Sequence, residues 1–222
     1  MSVKHDLTQR TFEWAGAERL ARSLLQIRAV EIHPENPFTW SSGWKSPIYC
    51  DNRMILGYPL CFEQVERGFM DAISQITPGV DVIAGTATAG IPHAAAVARA
   101  LKIPMAYVRG SAKGHGKQKQ VEGRVGQGLS AVVIEDTLST GRSAFEAVEA
   151  LRAEGMNVLA VFSIFSYDFA VCREKAEAAE VPAHRLLGFE TLISTAVDES
   201  YVDESYVQVL KNWRLHPENY GM

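Results

Sequence analysis

Val132-Val133-Ile134-Glu135-Asp136-Thr137-Leu138-Ser139-Thr140-Gly141-Arg142-Ser143 passes from an apolar run, through two adjacent carboxylates, into a short turn rich in hydroxyls. The apolar start reads as a buried strand, and the residues after Gly141 open a helix with Ala144, Val148 and Leu151 facing inward. Ligands of open parallel sheets bind at the carboxyl ends of strands. A turn into a helix at that place offers free backbone N–H groups, hydroxyls and the positive end of a helix dipole, which together cradle a monophosphate. Gly141 lets the backbone approach closely. Glu135 and Asp136 cannot face the phosphate, because like charges repel; they suit sugar hydroxyls or a magnesium ion nearby. A plain helix cap accounts for the threonine and serine but not for two carboxylates ending a buried strand.

Outward from this stretch the chain alternates strand and helix. Val82-Ile83-Ala84 is a short apolar strand, followed by a Gly/Thr/Ala turn and an Ala-rich helix to Leu101. Residues 104–108, 131–134 and 157–165 read as further strands, with helices between them and around residues 172–179. Continuous apolar strands separated by helices predict a parallel sheet covered on both faces, hence a doubly wound α/β fold. Upstream, residues 12–27 place Ala17, Leu20, Ala21, Leu24 and Leu25 on one helical face. Residues 38–52 read as strand–turn–strand, and Pro59 starts a helix with Phe62, Val65, Phe69, Ile73 and Ile76 at the 3.6-residue period. A repeated Asp-Glu-Ser-Tyr, from Asp198 and again from Asp203, is chance plus a helix start before Val209, Leu210 and Trp213.

Residues 109–128 break the alternation. They are almost free of apolar side chains, rich in glycine, and carry Arg109, Lys113, Lys117, Lys119 and Arg124 against a single Glu122. The whole 222-residue chain is acidic, with a formal charge of −4, so this basic stretch is a local device: a mobile lid for an anion. The net charge gives no global attraction to nucleic acid or an anionic membrane. The N-terminus lacks a signal-peptide core, and three cysteines without a paired spacing fit idle thiols, so a cytoplasmic protein is expected.

Other phosphate motifs fail. The Gly-Lys pair at Gly116 is followed by Gln118, and the loose Gly126-x-Gly128 pattern precedes a strand instead of following one. No histidine or cysteine set has metal-ligand spacing; His33, His93 and His184 read as surface or core residues, whereas His115 stands among the loop's lysines.

The strand, acidic pair and turn resemble the phosphoribosyl pyrophosphate (PRPP) signature of type I phosphoribosyltransferases. Three further segments resemble the orotate-specific family: Phe38-Thr39-Trp40-Ser41-Ser42-Gly43-Trp44-Lys45-Ser46-Pro47-Ile48-Tyr49 its hood, residues 85–92 its pyrophosphate loop, and residues 109–116 its mobile catalytic loop. The resemblance implies one phosphoribosyltransferase domain over residues 1–222, with 1–55 contributing the hood. It implies transfer from PRPP to orotate with magnesium, held mainly by PRPP oxygens. Lys113, His115 and Asp136 would be catalytic. Arg109, Lys113 and His115 would neutralise pyrophosphate from the neighbouring subunit of a homodimer. Glu135 and Asp136 would hold ribose hydroxyls, and Thr137, Leu138, Ser139, Thr140, Gly141, Arg142 and Ser143 the 5-phosphate. Ser139, Lys45 and Tyr49 would meet orotate. Some members carry lysine where this chain has Ser41, Ala89 and Gly110, and Lys45 is the candidate substitute. An orotate-contacting arginine of some members, after the strand ending near Phe165, has no clear counterpart. A purine-specific transferase and a PRPP-sensing regulator are the rivals; the hood opposes the first, and the missing nucleic-acid-binding extension the second.

Overall fold

The computed structural model describes residues 12, 14–40, 43–77, 79–110 and 120–220. The polar N-terminus, Ser41, Lys113 and His115 of the sequence reading lie outside them. Helix α1 (Ala17–Gln26) starts later than residue 12 and buries the expected face of Leu20, Ala21, Leu24 and Leu25. Four short strands follow: β1 (Val30–Ile32), β2 (Phe38–Thr39), β3 (Lys45–Ser46) and β4 (Ile48–Cys50). The expected strand–turn–strand is the antiparallel β2–β3 hairpin, and β1 pairs antiparallel with β4. A 3-10 turn over Asn52–Gly57, capped by the Asp51 side chain, leads into α2 (Pro59–Ile76), with Pro59 at its first position.

The rest of the chain builds the main sheet. Its elements are β5 (Val82–Thr86), α3 (Gly90–Leu101), β6 (Met105–Val108), β7 (Val121–Gly123), β8 (Ser130–Leu138), α4 (Arg142–Ala153), β9 (Asn157–Ser166), α5 (Ala170–Ala179) and β10 (Ala183–Gly188). Strand order is β10-β9-β8-β5-β6-β7, parallel throughout except for the antiparallel β6–β7 edge. Two helices, α6 (Phe189–Asp198) and α7 (Val207–Leu215), close the chain.

Neighbouring residues of one strand enter opposite cores. Ile83, Val132, Ile134 and Phe162 pack with α1, α2, α3, α6 and α7, while Val82, Ala84, Val133 and Val161 pack with α4 and α5. Apolar character at every position is what a strand buried on both faces requires, and the sheet is doubly wound as expected. The winding reverses between β5 and β8: from β5 the chain builds toward β6, then returns to lay β8, β9 and β10 on the other side. Side chains leaving the carboxyl ends of β5 and β8 thus flank a natural crevice.

Some elements differ from the sequence reading. β8 continues four residues past Ile134, because β9 stays paired with it as far as Leu138↔Ser166. Glu135 and Asp136 therefore belong to the strand itself. Within residues 109–128, expected to lack regular structure, Val121–Gly123 forms the edge strand β7. Val121 pairs with Val108 and is buried, and the Arg109 N–H donates to the Gln120 carbonyl at 2.9 Å. One buried valine in a polar stretch leaves no periodicity to read. The pattern also assigns neither β10 nor α6.

The β2–β3 hairpin is fastened by Trp40, whose ring lies 5.3 Å from Tyr167, 6.2 Å from Phe169 and 6.1 Å from Trp213. This aromatic cluster joins the N-terminal strands to the end of β9 and to α7. The cysteines are free thiols; burial pushes Cys61 and Cys172 up to about 11. His93 stacks on Phe62 at 4.9 Å, and burial pushes it down to about 4; His184 is buried likewise, and His33 stays on the surface. No described helix is long and apolar enough to cross a membrane.

Candidate active site

The crevice at the β5/β8 reversal is a cleft of about 310 Å³. It is lined by Asp51 and Arg53, by residues 87–89, and by Glu135, Asp136, Thr137 and Ser143. Close backbone packing creates it. A Cβ on Gly85 would sit 2.9 Å from the Ala94 Cβ, and one on Gly90 would collide with the Ile134 carbonyl oxygen. Glycine at both positions lets α3 start directly against β5 and β8. The turn between β5 and α3 contains a cis Ala87–Thr88 peptide bond, and the Ala87 N–H donates to the Val108 carbonyl at 2.8 Å.

The two carboxylates part company. Glu135 is 4% exposed, and both its oxygens accept hydrogen bonds. Oε1 accepts from Thr86 Oγ1 at 2.7 Å and from the Asp136 N–H at 3.0 Å, and Oε2 accepts from Ser143 Oγ at 2.6 Å. Burial, reinforced by Asp136, raises the Glu135 carboxyl above the ordinary range; Ser143 and Thr86 oppose that rise. Both were expected to meet ribose hydroxyls. Both line the cleft; Glu135 in addition ties β5, β8 and α4 together, and Asp136 has a 3.5 Å approach from Thr137 Oγ1. Asn52, fully buried, donates from Nδ2 to the Asp136 carbonyl at 2.9 Å and to Thr137 Oγ1 at 3.0 Å, which locks the 3-10 turn to β8.

Beyond Leu138 the chain turns through Ser139, Thr140 and Gly141 into α4. Gly141, at φ 71°, caps this helix, and no side chain accepts from the first-turn N–H groups. Those donors are free for an anion. Leu138 is buried, so only its backbone is available there. The Arg142 side chain turns outward to Glu146, with Nε 2.8 Å from Oε1, an ordinary pair one helical turn apart. Lys175 of α5 stands behind the turn instead, donating to the Thr140 carbonyl at 3.0 Å.

Lys45 donates to Thr39 Oγ1 at 2.7 Å across its own hairpin, and the Tyr49 ring packs on Phe38 at 5.3 Å. Neither lines the cleft, nor does Ser139. Arg109 approaches Glu122 at 3.9 Å. The sequence reading missed Arg53, Asn52 and Lys175. For Arg53 a signal existed, since an Asp-x-Arg spacing at a helix start places an acid and a base side by side. A buried asparagine and a lysine reaching over from another helix leave no local trace.

A doubly wound sheet with a carboxylate at its switch point, beside an uncapped helix start, fits a type I phosphoribosyltransferase. The phosphoribosyl transferase domain family matches residues 54–192. Orotate phosphoribosyltransferase of Enterococcus faecalis is 46% identical over 205 residues, covering 92% of this chain and 98% of the relative. That of Halalkalibacterium halodurans is 46% identical over 202 residues, covering 91% and 96%. Among solved structures, orotate phosphoribosyltransferase from Aeropyrum pernix superposes with a TM-score of 0.71 at 30% identity, covering 79% of this chain and 96% of that one. The Mycobacterium tuberculosis enzyme in complex with PRPP gives a TM-score of 0.62 at 26% identity, covering 79% and 98%. The chain belongs to the orotate phosphoribosyltransferase family.

Proposed function

We propose that the protein transfers the 5-phosphoribosyl group of PRPP to orotate, giving orotidine monophosphate and pyrophosphate, a step of pyrimidine biosynthesis. The observation that carries this reading is the cleft itself, where the free carboxylate of Asp136 stands beside the uncapped start of α4. The 5-phosphate takes the first-turn N–H groups of α4 and the turn at residues 139–141. The ribose hydroxyls take Asp136, and the diphosphate extends toward residues 87–89.

As the bond from C1 to the diphosphate oxygen lengthens, the ribose becomes oxocarbenium-like. Fixing the sugar at both ends holds C1 in line between base and leaving group. Asp136 accepts hydrogen bonds from the hydroxyls and places negative charge near the cationic ring. Glu135 holds Ser143 and Thr86, and through them the α4 start and the β5 end, in their relative positions.

Among the described residues, no group of three metal-ligating side chains exists. Asp136 would add at most one ligand to a magnesium ion carried mainly by substrate oxygens. That ion supplies charge neutralisation to the diphosphate.

We place a homodimer and a cytoplasmic location in the same reading. Met54, Leu56, Tyr58 and Leu60 expose large apolar surface in one short segment, with Leu60 84% exposed, and a second copy of the chain would cover it. Lys113 and His115 of residues 109–128 then serve the partner's diphosphate.

The test is loss of orotate absorbance on mixing protein, orotate, PRPP and magnesium, with adenine, guanine and uracil giving no product. Absence of orotate consumption by folded protein overturns the reading.

A further inference from the structure

Among the described residues lining the cleft, Arg53 is the only cation, against the carboxyl groups of Asp51, Glu135 and Asp136. The lining segment 87–89 is Ala-Thr-Ala and uncharged. PRPP brings a diphosphate into this acidic space, and more negative charge collects on its departing oxygen during transfer. A cleft with this charge balance needs a cation fixed in its own wall.

Arg53 is held for such a task. Asp51 Oδ1 accepts from Nε at 2.6 Å, and Oδ2 accepts from Nη2 at 2.7 Å. Asp51 Oδ1 also accepts from the Arg53 backbone N–H at 3.2 Å. The clamp uses two of the guanidinium's five N–H groups and leaves three for a ligand. The Arg53 side chain is 63% exposed, so packing does not account for its position. Orientation by Asp51 removes rotamer freedom before any ligand arrives.

We propose that Arg53 binds the diphosphate of PRPP in this cleft and stabilises it as it leaves. This rests on the phosphoribosyl-transfer reading above. In the step, the bond between C1 and the diphosphate oxygen breaks with its electron pair going to that oxygen. The orotate ring nitrogen forms the new bond to C1, and Arg53 donates hydrogen bonds without giving up a proton. Leaving-group stabilisation is then built partly into a fixed wall, independent of residues 109–128.

Removing Arg53 alone would also orphan Asp51, whose bare charge would repel the diphosphate. The decisive variant is therefore Asp51→Asn with Arg53→Met, which keeps the net charge of the pair and a capping side chain at position 51. Binding of inorganic pyrophosphate with magnesium is measured by calorimetry, and KM for PRPP and for orotate by turnover. The double variant should raise the pyrophosphate Kd and the PRPP KM by about tenfold, the effect of losing one charge-assisted hydrogen bond. Its orotate KM and melting temperature should match the wild type, and Arg53→Lys should lie between the two. Wild-type pyrophosphate affinity in the double variant would mean that Arg53 only neutralises Asp51, and would overturn the proposal. A rise confined to the orotate KM would overturn it too, assigning Arg53 to the base. If the wild type fails to consume orotate yet binds pyrophosphate in an Arg53-dependent way, the proposed base is wrong and the role of Arg53 stands.

Discussion

Glu135→Gln removes a buried charge while keeping size and shape. In the native protein the side chain accepts three hydrogen bonds, from Thr86, the Asp136 N–H and Ser143. Glutamine keeps an acceptor oxygen for the first two, and its amide can donate to Ser143 once that hydroxyl turns. Hydrogen bonding is thereby conserved, and ionisation is what changes. Burial raises the Glu135 carboxyl, with Asp136 adding to the rise and Ser143 and Thr86 reducing it. The folded protein therefore binds this proton more tightly than the unfolded chain does. Its contribution to stability is fully present below the unfolded value, near pH ~4, and is lost as pH climbs through the raised folded value. Each unit of rise corresponds to about 1.4 kcal/mol, so a carboxyl pushed up to about 7 makes the wild type lose about 3 kcal/mol across this window. The glutamine variant has no such loss. Urea unfolding of the ligand-free protein at about pH 4 and about pH 8 gives the comparison. Relative to wild type, the variant should gain about 3 kcal/mol on going from the lower pH to the higher. Parallel stability–pH profiles would refute the reasoning and show that three donated hydrogen bonds outweigh burial at this site.

Asp136→Asn should lower kcat/KM for PRPP by about a hundredfold or more, with an unchanged unfolding midpoint, because a carboxylate facing the cleft contributes little packing; full activity at low PRPP would remove Asp136 from the ribose site. Gly90→Ala should destabilise by about 3 kcal/mol or more or fail to fold, since its Cβ would meet the Ile134 carbonyl and Thr86 Oγ1, both fixed by the sheet; a wild-type melting temperature would contradict that packing. Lys113→Ala and Asp136→Asn, each nearly inactive alone, should regain about a quarter of wild-type activity when subunits are exchanged, because each mixed dimer has one intact site. No recovery after confirmed exchange would assign Lys113 to its own subunit.

The pattern of residues 82–166 was enough for the doubly wound sheet, because apolar side chains on both faces of a strand leave an unbroken apolar run. It was enough for the phosphate turn as well, since hydroxyls, Gly141 and an acidic pair at a strand end are adjacent in sequence. The hairpin carrying Trp40 showed itself through local turn residues. The β7 edge escaped because a three-residue strand with one buried valine carries no period, and β10 escaped because His184 and Arg185 interrupt its apolar run.

The chain's order of residues by itself settled which groups could do chemistry: a carboxylate pair, a helix start able to take phosphate, and a basic stretch in an acidic protein. Only the tertiary structure decided which of those groups face a ligand. Glu135 and Asp136 are adjacent and both line the cleft, yet Thr86 from β5 and Ser143 from α4 hold only Glu135. Arg142 belongs to the signature, yet Glu146 one turn away holds its side chain outside, while Lys175 arrives from α5 behind the turn. Arg53 reaches the same cleft because Asn52 binds its 3-10 turn to β8, across more than eighty residues of chain. Local pattern records what one segment prefers, whereas the direction of a polar side chain depends on partners that only folding brings within hydrogen-bonding distance.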